Sequence, residues 1–353
     1  MKKIILLAAI LLINATVFAQ KVDLDRFNFR WTFRALPSTP LPEEYKTYNF
    51  NISSSQSVRE VYNDERIKST LTIQGWKSVE TPGHITINMN LGEVSLKTPE
   101  LKEREEILKD KDGKETGRKK YYWIEAIYAW TGEVSVMDFK GTKLYNSVIG
   151  VGSTIWKGTE SENKDGVGEQ YNKNKLTIRS GIANEVVTNA MARLSTELNS
   201  RYGYRTITDG DFLWIMDSKK HPENEGMKKT WATFKEAMVF MNEKDDIAMV
   251  KEKLVPVIQY FDSLKTRITG TEKNDKKLRY AAHYCLTKIY LLLDNPDAAI
   301  KEAQLLIAND YDPNDGKSFI KEAEALKASF ETNKISTRHF PIDISKYSPP
   351  TGN

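Results

Sequence analysis

Residues 277–307 read KLRYAAHYCLTKIYLLLDNPDAAIKEAQLLI, and this stretch decides how the back half of the chain is organised. Leu278, Ala281, Ala282, Cys285, Leu286, Ile289, Leu292 and Leu293 recur at spacings of three and four. That is the stripe of a buried helix face. Asp294-Asn295-Pro296 ends it, because Pro296 has no N–H to donate and biases Asn295 away from helical angles. Asp294 or Asn295 then caps a second helix, with Pro296 tolerated in its first turn. Ala299, Ala303, Leu306 and Ile307 form the second stripe. Two helices joined by so short a turn lie antiparallel.

The hairpin resembles a tetratricopeptide repeat. With Tyr290 as the aromatic late in the first helix, Leu286 and Thr287 fall on the large and small positions before it. Ala299 falls on the small residue where the two helices touch. His283 stands where the family prefers a large apolar residue or Trp, Ala303 and Leu306 invert the usual order, and the closing Pro is missing, although Pro313 lies just beyond. The resemblance covers this stretch alone. It implies stacked helical hairpins with a groove lined by side chains, and hence a protein or peptide partner.

Working outward, Met227, Trp231, Phe234, Met238 and Met241 are spaced as a helix, and so are Ile247, Val250, Leu254, Val257, Ile258, Phe261 and Leu264. Asp245-Asp246 offers a cap between them, and Pro256 predicts a kink. These two helices form a second, degenerate hairpin. Phe319, Ala323, Leu326 and Phe330 predict a last helix capping the stack. Upstream, Ile182, Val186, Ala190, Leu194 and Leu198 predict a long amphipathic helix with Gly203 as its stop. Residues 176–178 read as a strand. So do residues 204–208 and 212–216, placed around an Asp209-Gly210-Asp211 turn.

The front half alternates. Phe27, Phe29, Trp31 and Phe33 interleave with Asn28, Arg30, Thr32 and Arg34, a period of two with one aromatic face. Residues 48–52, 71–73, 85–91, 119–130, 134–139 and 144–145 continue the pattern, while 57–68 reads as a short helix or turn. Residues 101–109 suit a strand or a helix, and Asp110-Lys111-Asp112-Gly113 reads as a hairpin turn. The expected architecture is an α+β multidomain chain. Residues 20–157 form an antiparallel β-sandwich-like domain, 158–174 a linker or mobile loop, and 175–222 a small α/β unit. Residues 223–335 form TPR-like α-helical hairpins, and 336–353 an extended tail.

Residues 1–19 read as a signal peptide. Lys2-Lys3 precedes an apolar run over 4–13, and Val17-Phe18-Ala19 precedes a cut before Gln20. An uncleaved anchor needs about 20 apolar residues. With no Cys near the cut, a lipid anchor is not expected. No other segment is long enough to span a bilayer. The protein is therefore expected to be exported, to the periplasm or the outer surface of a bacterial envelope.

Of 52 basic residues, losing Lys2 and Lys3 leaves 50 against 48 acidic. This near-neutral balance, without a basic stripe, argues against a nucleic-acid partner. Cys285 is the only cysteine and sits on an apolar stripe, so no intrachain disulfide forms and the thiol reads as a small buried hydrophobe.

No motif carries chemistry. Gly150-Val151-Gly152 starts like a dinucleotide loop but has Ile155 where the third Gly belongs. Gly316-Lys317-Ser318 has Tyr311 where a P-loop has its first Gly. Asp310, Asp312 and Asn314 are spaced like calcium ligands, but Asp315 replaces the loop Gly and Lys321 the Glu. His84, His221, His283 and His339 show no metal-ligand spacing. No catalytic residue, cofactor or metal is expected. The leading expectation is a non-enzymatic exported binding or scaffold protein. An envelope-polymer hydrolase using Asp209 and Asp211, and a glycan-binding β-domain presenting Trp31 and Trp123, are the competing ones.

Overall fold

The computed structural model describes residues 21–351; the leader read above lies outside them. The chain is mixed α+β. It forms two compact units, each discontinuous in sequence: residues 21–40 with Tyr204–Ile342, and Leu41–Gly203 with residues 343–351.

The first unit is built from two strands and five helices. Strand β1 (Leu24–Ala35) pairs antiparallel with β9 (Arg205–Met216) over its whole length, from Leu24↔Met216 to Ala35↔Arg205. The helices are α4 (Glu223–Met238), α5 (Ala248–Arg267), α6 (Lys273–Leu292), α7 (Pro296–Ala308) and α8 (Pro313–Asn333). Neighbours in sequence pack as neighbours in space. The strand pair lies against the first helix of each hairpin. Phe27 stacks on Trp231 of α4 at 5.1 Å, Phe29 meets Phe234 edge-on at 5.2 Å, and Phe212 stacks on Tyr284 of α6 at 5.7 Å. The aromatic face of β1 is thus packed, partly buried, against helices rather than another sheet.

The α6–α7 turn is capped as its residues dictate. Asn295 Oδ1 accepts from the Ala298 N–H at 3.2 Å, and Pro296 sits in the first turn of α7. Asp294, left-handed at φ 55°, makes the turn and sends its carboxylate elsewhere. Leu286, Thr287 and Ala299 are fully buried and Tyr290 partly so.

The second unit is one mixed sheet backed by helices. Its strands are β2 (Thr47–Ser54), β3 (Lys77–Ser78), β4 (Ile85–Leu91), β5 (Ser95–Leu96), β6 (Glu100–Lys109), β7 (Glu115–Asp138) and β8 (Lys143–Lys157). The long β7 is the spine. One edge of it pairs with β4, β5 and β6 in turn, and the other with β8. Strand β2 pairs in parallel with both β3 and β4. Parallel neighbours need a crossover, which α1 (Gln56–Arg59) and α2 (Asp64–Thr70) supply. Helix α3 (Lys164–Tyr202) buries Ile182, Val186, Val187, Met191, Leu194 and Leu198 against the sheet.

Six expectations are corrected. The front half is not an antiparallel sandwich: the sheet is mixed, a helix takes the place of a second sheet, and β1 belongs to the other unit. Residues 158–174 are not a linker. Helix α3 starts at Lys164, where Asn163 Oδ1 accepts from the Gly166 N–H at 3.0 Å, and Val167 and Tyr171 are buried beside Ile124. Residues 176–178 are helical within α3. Leu176 is 80% exposed while Ile178 packs inward, so tertiary packing overrides the local β preference. The Asp209-Gly210-Asp211 turn does not exist. β9 runs through it, with Asp209 opposite Trp31 and Asp211 opposite Phe29, because twelve residues of β1 offer a continuous ladder. The predicted 175–222 unit therefore divides, α3 going to the sheet and β9 to the helices. The extended tail divides too, at residue 342.

Candidate functional site

The sheet unit carries a groove of about 320 Å³ between β8 and α3. Strand β8 alternates, so Tyr145, Ser147, Ile149 and Val151 point towards the helix, and Glu185, Asn189 and Arg193 of α3 form the opposite wall. Arg201 lies over the Tyr145 ring at 4.8 Å at one end of the seam. Trp156 meets Tyr171 at 5.9 Å at the other. The helix therefore runs alongside β8 for most of the strand's length. Beside Trp156 the seam opens into a second hollow of about 200 Å³, where the buried Tyr171 hydroxyl has no hydrogen-bond partner among the described residues.

The chemistry of this groove lies in its edge. Among the described residues, strands β6 and β8 are each hydrogen-bonded on one side only, to β7. An unpaired strand edge is a template for another strand, and proteins blunt it with charge. Strand β6, ELKEREEILK, is blunted this way, with Arg118 bridging to Glu105 at 3.1 Å and Arg104 to Glu160 at 2.8 Å. Strand β8 is not: no charged residue lies between Lys143 and Lys157. Val148 and Ile155 are 67% and 59% exposed. The charge-free run over 144–156 was the available sequence signal for this site, and only its first residues and its GVG triplet stood out.

The GVG triplet is structural. Gly150 has φ 115°, and a Cβ there would lie 2.5 Å from the Trp130 carbonyl oxygen. In GKS, Gly316 lets α8 approach α7, since a Cβ would lie 2.8 Å from the Ala303 carbonyl.

The helical unit holds a third, smaller hollow of about 60 Å³ lined by Trp31, Asp211, Lys288, Glu322 and Arg338. Lys288 pairs with Asp211, and its ammonium stands over the rings of Phe212 at 4.8 Å and Tyr284 at 5.2 Å. Burial pushes the Glu322 carboxyl above its usual range; Lys288 opposes this and Asp211 reinforces it. Arg338 lies over both Trp31 and Phe33, which covers the aromatic face a sugar would need. The hollow has room for one or two waters, well below the several hundred Å³ of a usual ligand pocket. Of the two predicted carboxylates, Asp211 lines it; Asp209 is exposed.

The histidines are dispersed into separate polar contacts. His84 Nδ1 meets Thr47 Oγ1 at 2.7 Å, His283 Nδ1 meets Glu302 at 2.6 Å, and His339 Nδ1 meets the Asn242 carbonyl at 2.6 Å. Asp310 pairs with Lys276 at 3.1 Å. Among the described residues, no group of three or more His, Cys, Asp or Glu side chains is arranged to hold a metal ion, and no helix is long and apolar enough to cross a membrane. No protein-family model matches the chain, and no curated protein matches it.

Proposed function

We propose that this chain is an exported, non-enzymatic scaffold protein of a bacterial envelope that recruits a protein partner by strand addition at β8. The observation carrying this is the contrast between two long strands of one sheet that pair on one side only: β6 is laced with charge and β8 is bare of it. Backbone N–H and C=O groups along β8 supply affinity to an added strand, and the α3 wall supplies side-chain specificity.

In this reading the five helices are TPR-like hairpins, with Leu286, Thr287, Tyr290 and Ala299 on repeat positions. The departure at His283 is compensated by Glu302, which takes its Nδ1 hydrogen bond and that of Lys265 at 2.8 Å. The face of α4 and α6 that would line a peptide groove is covered by β1 and β9. The helical domain therefore serves as a scaffold holding its own strand pair, and the partner surface moves to β8.

The test places a photo-cross-linking residue at Val148 and, as control, at Ile107 on β6, in cells making the full chain. A discrete protein adduct from Val148 and none from Ile107 supports the reading. No adduct from Val148, or equal labelling from both, overturns it.

A further inference from the structure

We infer that the strand added to β8 is β8 of a second copy of this chain, paired antiparallel about a two-fold axis. This rests on the reading of β8 as a docking edge and names the occupant.

Three features of the seam point to self-pairing. A two-fold interface presents the same patch to itself, so its charges must be self-complementary. On α3 the groove-lining stripe is Glu185, Asn189, Arg193 and Glu197, spaced at four residues, and Glu197 is already paired with Arg201 at 2.5 Å. In an antiparallel pair of α3 helices centred on Asn189, Glu185 of each copy meets Arg193 of the other. The Asn189 amides then meet each other, and an amide both donates and accepts.

The spacing closes as well. Antiparallel β8 strands about 4.8 Å apart put the axis about 2.4 Å outside each strand. Helix α3 packs on both β7 and β8, so it stands over their seam, about 4.8 Å from the axis. The two α3 helices are then about 10 Å apart, within the usual range for packed helices. One operation thus satisfies the strand edge and the helix stripe together.

The levels agree too. Arg201 covers Tyr145 and Tyr171 meets Trp156, which places Asn189, between them, over the middle of β8 near Gly150. The uncharged run is centred there; the axis sets Lys143 of one copy opposite Lys157 of the other, and Glu160, 2.6 Å from the Lys157 ammonium, neutralises that pair.

The experiment uses the purified full-length mature chain, its mass measured by light scattering across a concentration series. Four proteins are compared: wild type, Val148→Lys, Glu185→Arg, and Glu185→Arg with Arg193→Glu. All three positions are exposed, and circular dichroism confirms that each variant folds. The expected result is a wild-type dimer, an increase of roughly tenfold or more in the dimer dissociation constant for each single variant, and recovery in the charge-swapped double variant. A monomeric wild type, or a dimer indifferent to both Val148→Lys and Glu185→Arg, overturns the inference. If the chain is monomeric but Val148 still captures a different protein in cells, self-pairing fails and strand addition stands. If neither occurs, both fail.

Discussion

Arg338 Nε donates to Asp294 Oδ1 at 2.6 Å, joining the end of the helical unit to the turn between α6 and α7. The same Asp294 carboxylate accepts from the Arg338 N–H at 2.6 Å and from Thr337 Oγ1 at 2.9 Å, and the guanidinium donates to the Leu291 carbonyl at 2.7 Å. Asp294 is wholly buried, and most of Arg338 is too. Removing one partner strands a buried charge, at about 3–5 kcal/mol. Asp294→Ala is therefore expected to lower unfolding free energy by that order in a denaturant melt. It also frees residues 335–342 for limited proteolysis. A variant with unchanged stability and protection would show that the pair is dispensable.

The Glu302 network makes stability depend on pH. Burial alone would raise its carboxyl, but hydrogen bonds from His283 and Lys265 outweigh burial and hold it below the usual 4.5. A carboxyl with a depressed folded value contributes stability that is fully present above the unfolded value and lost as pH falls through the folded one. Between about pH 6 and about pH 3, wild type should lose more stability than Glu302→Gln, whose amide does not titrate. Equal losses in parallel urea titrations would mean that Glu302 is not held low.

The parts of the fold legible in sequence are those fixed by near neighbours. The α6–α7 hairpin needs only its own stripes and the Asn295-Pro296 stop, and the 182–198 stripe needs only one apolar partner. Pairing at long range leaves no such mark. The alternation of Phe27 to Phe33 says strand, but nothing in it says that the partner is residues 205–216. Asp209-Gly210-Asp211 reads as a turn until β1 supplies a ladder through it. Likewise Gly166 and Gly168 weaken a local helix, and the burial of Val167 and Tyr171 restores it. The β8 edge is a third case. A run without charge is visible in sequence, but its exposure is a property of the sheet.

Cys285 should be inert in the folded chain. It is wholly buried, and burial pushes its thiol up to about 12, more than the Trp214 backbone hydrogen bond and Lys288 pull it down. The thiolate is the reactive form. Ellman's reagent at neutral pH is expected to leave the native protein unmodified over minutes and to release one equivalent once it is denatured. Fast labelling without denaturant would show that α6 opens away from β9.

Gly150 ties the sheet's geometry to the proposed docking edge. Its φ of 115° is a conformation that side-chain-bearing residues avoid, and an added Cβ would press on the Trp130 carbonyl oxygen and, at 2.6 Å, on its indole Cε3. Trp130 cannot yield freely, because it is buried and its Nε1 donates to the Gly92 carbonyl at 2.9 Å. Gly150→Ala should cost about 2–3 kcal/mol in a thermal or denaturant melt. Gly152 provides the control: it has no such φ, and a Cβ there meets nothing within 4 Å. Gly152→Ala should stay within about 0.5 kcal/mol of wild type. If the two substitutions cost the same, the close approach of β8 to Trp130 is not what shapes this edge, and the level assigned to the two-fold axis loses its anchor.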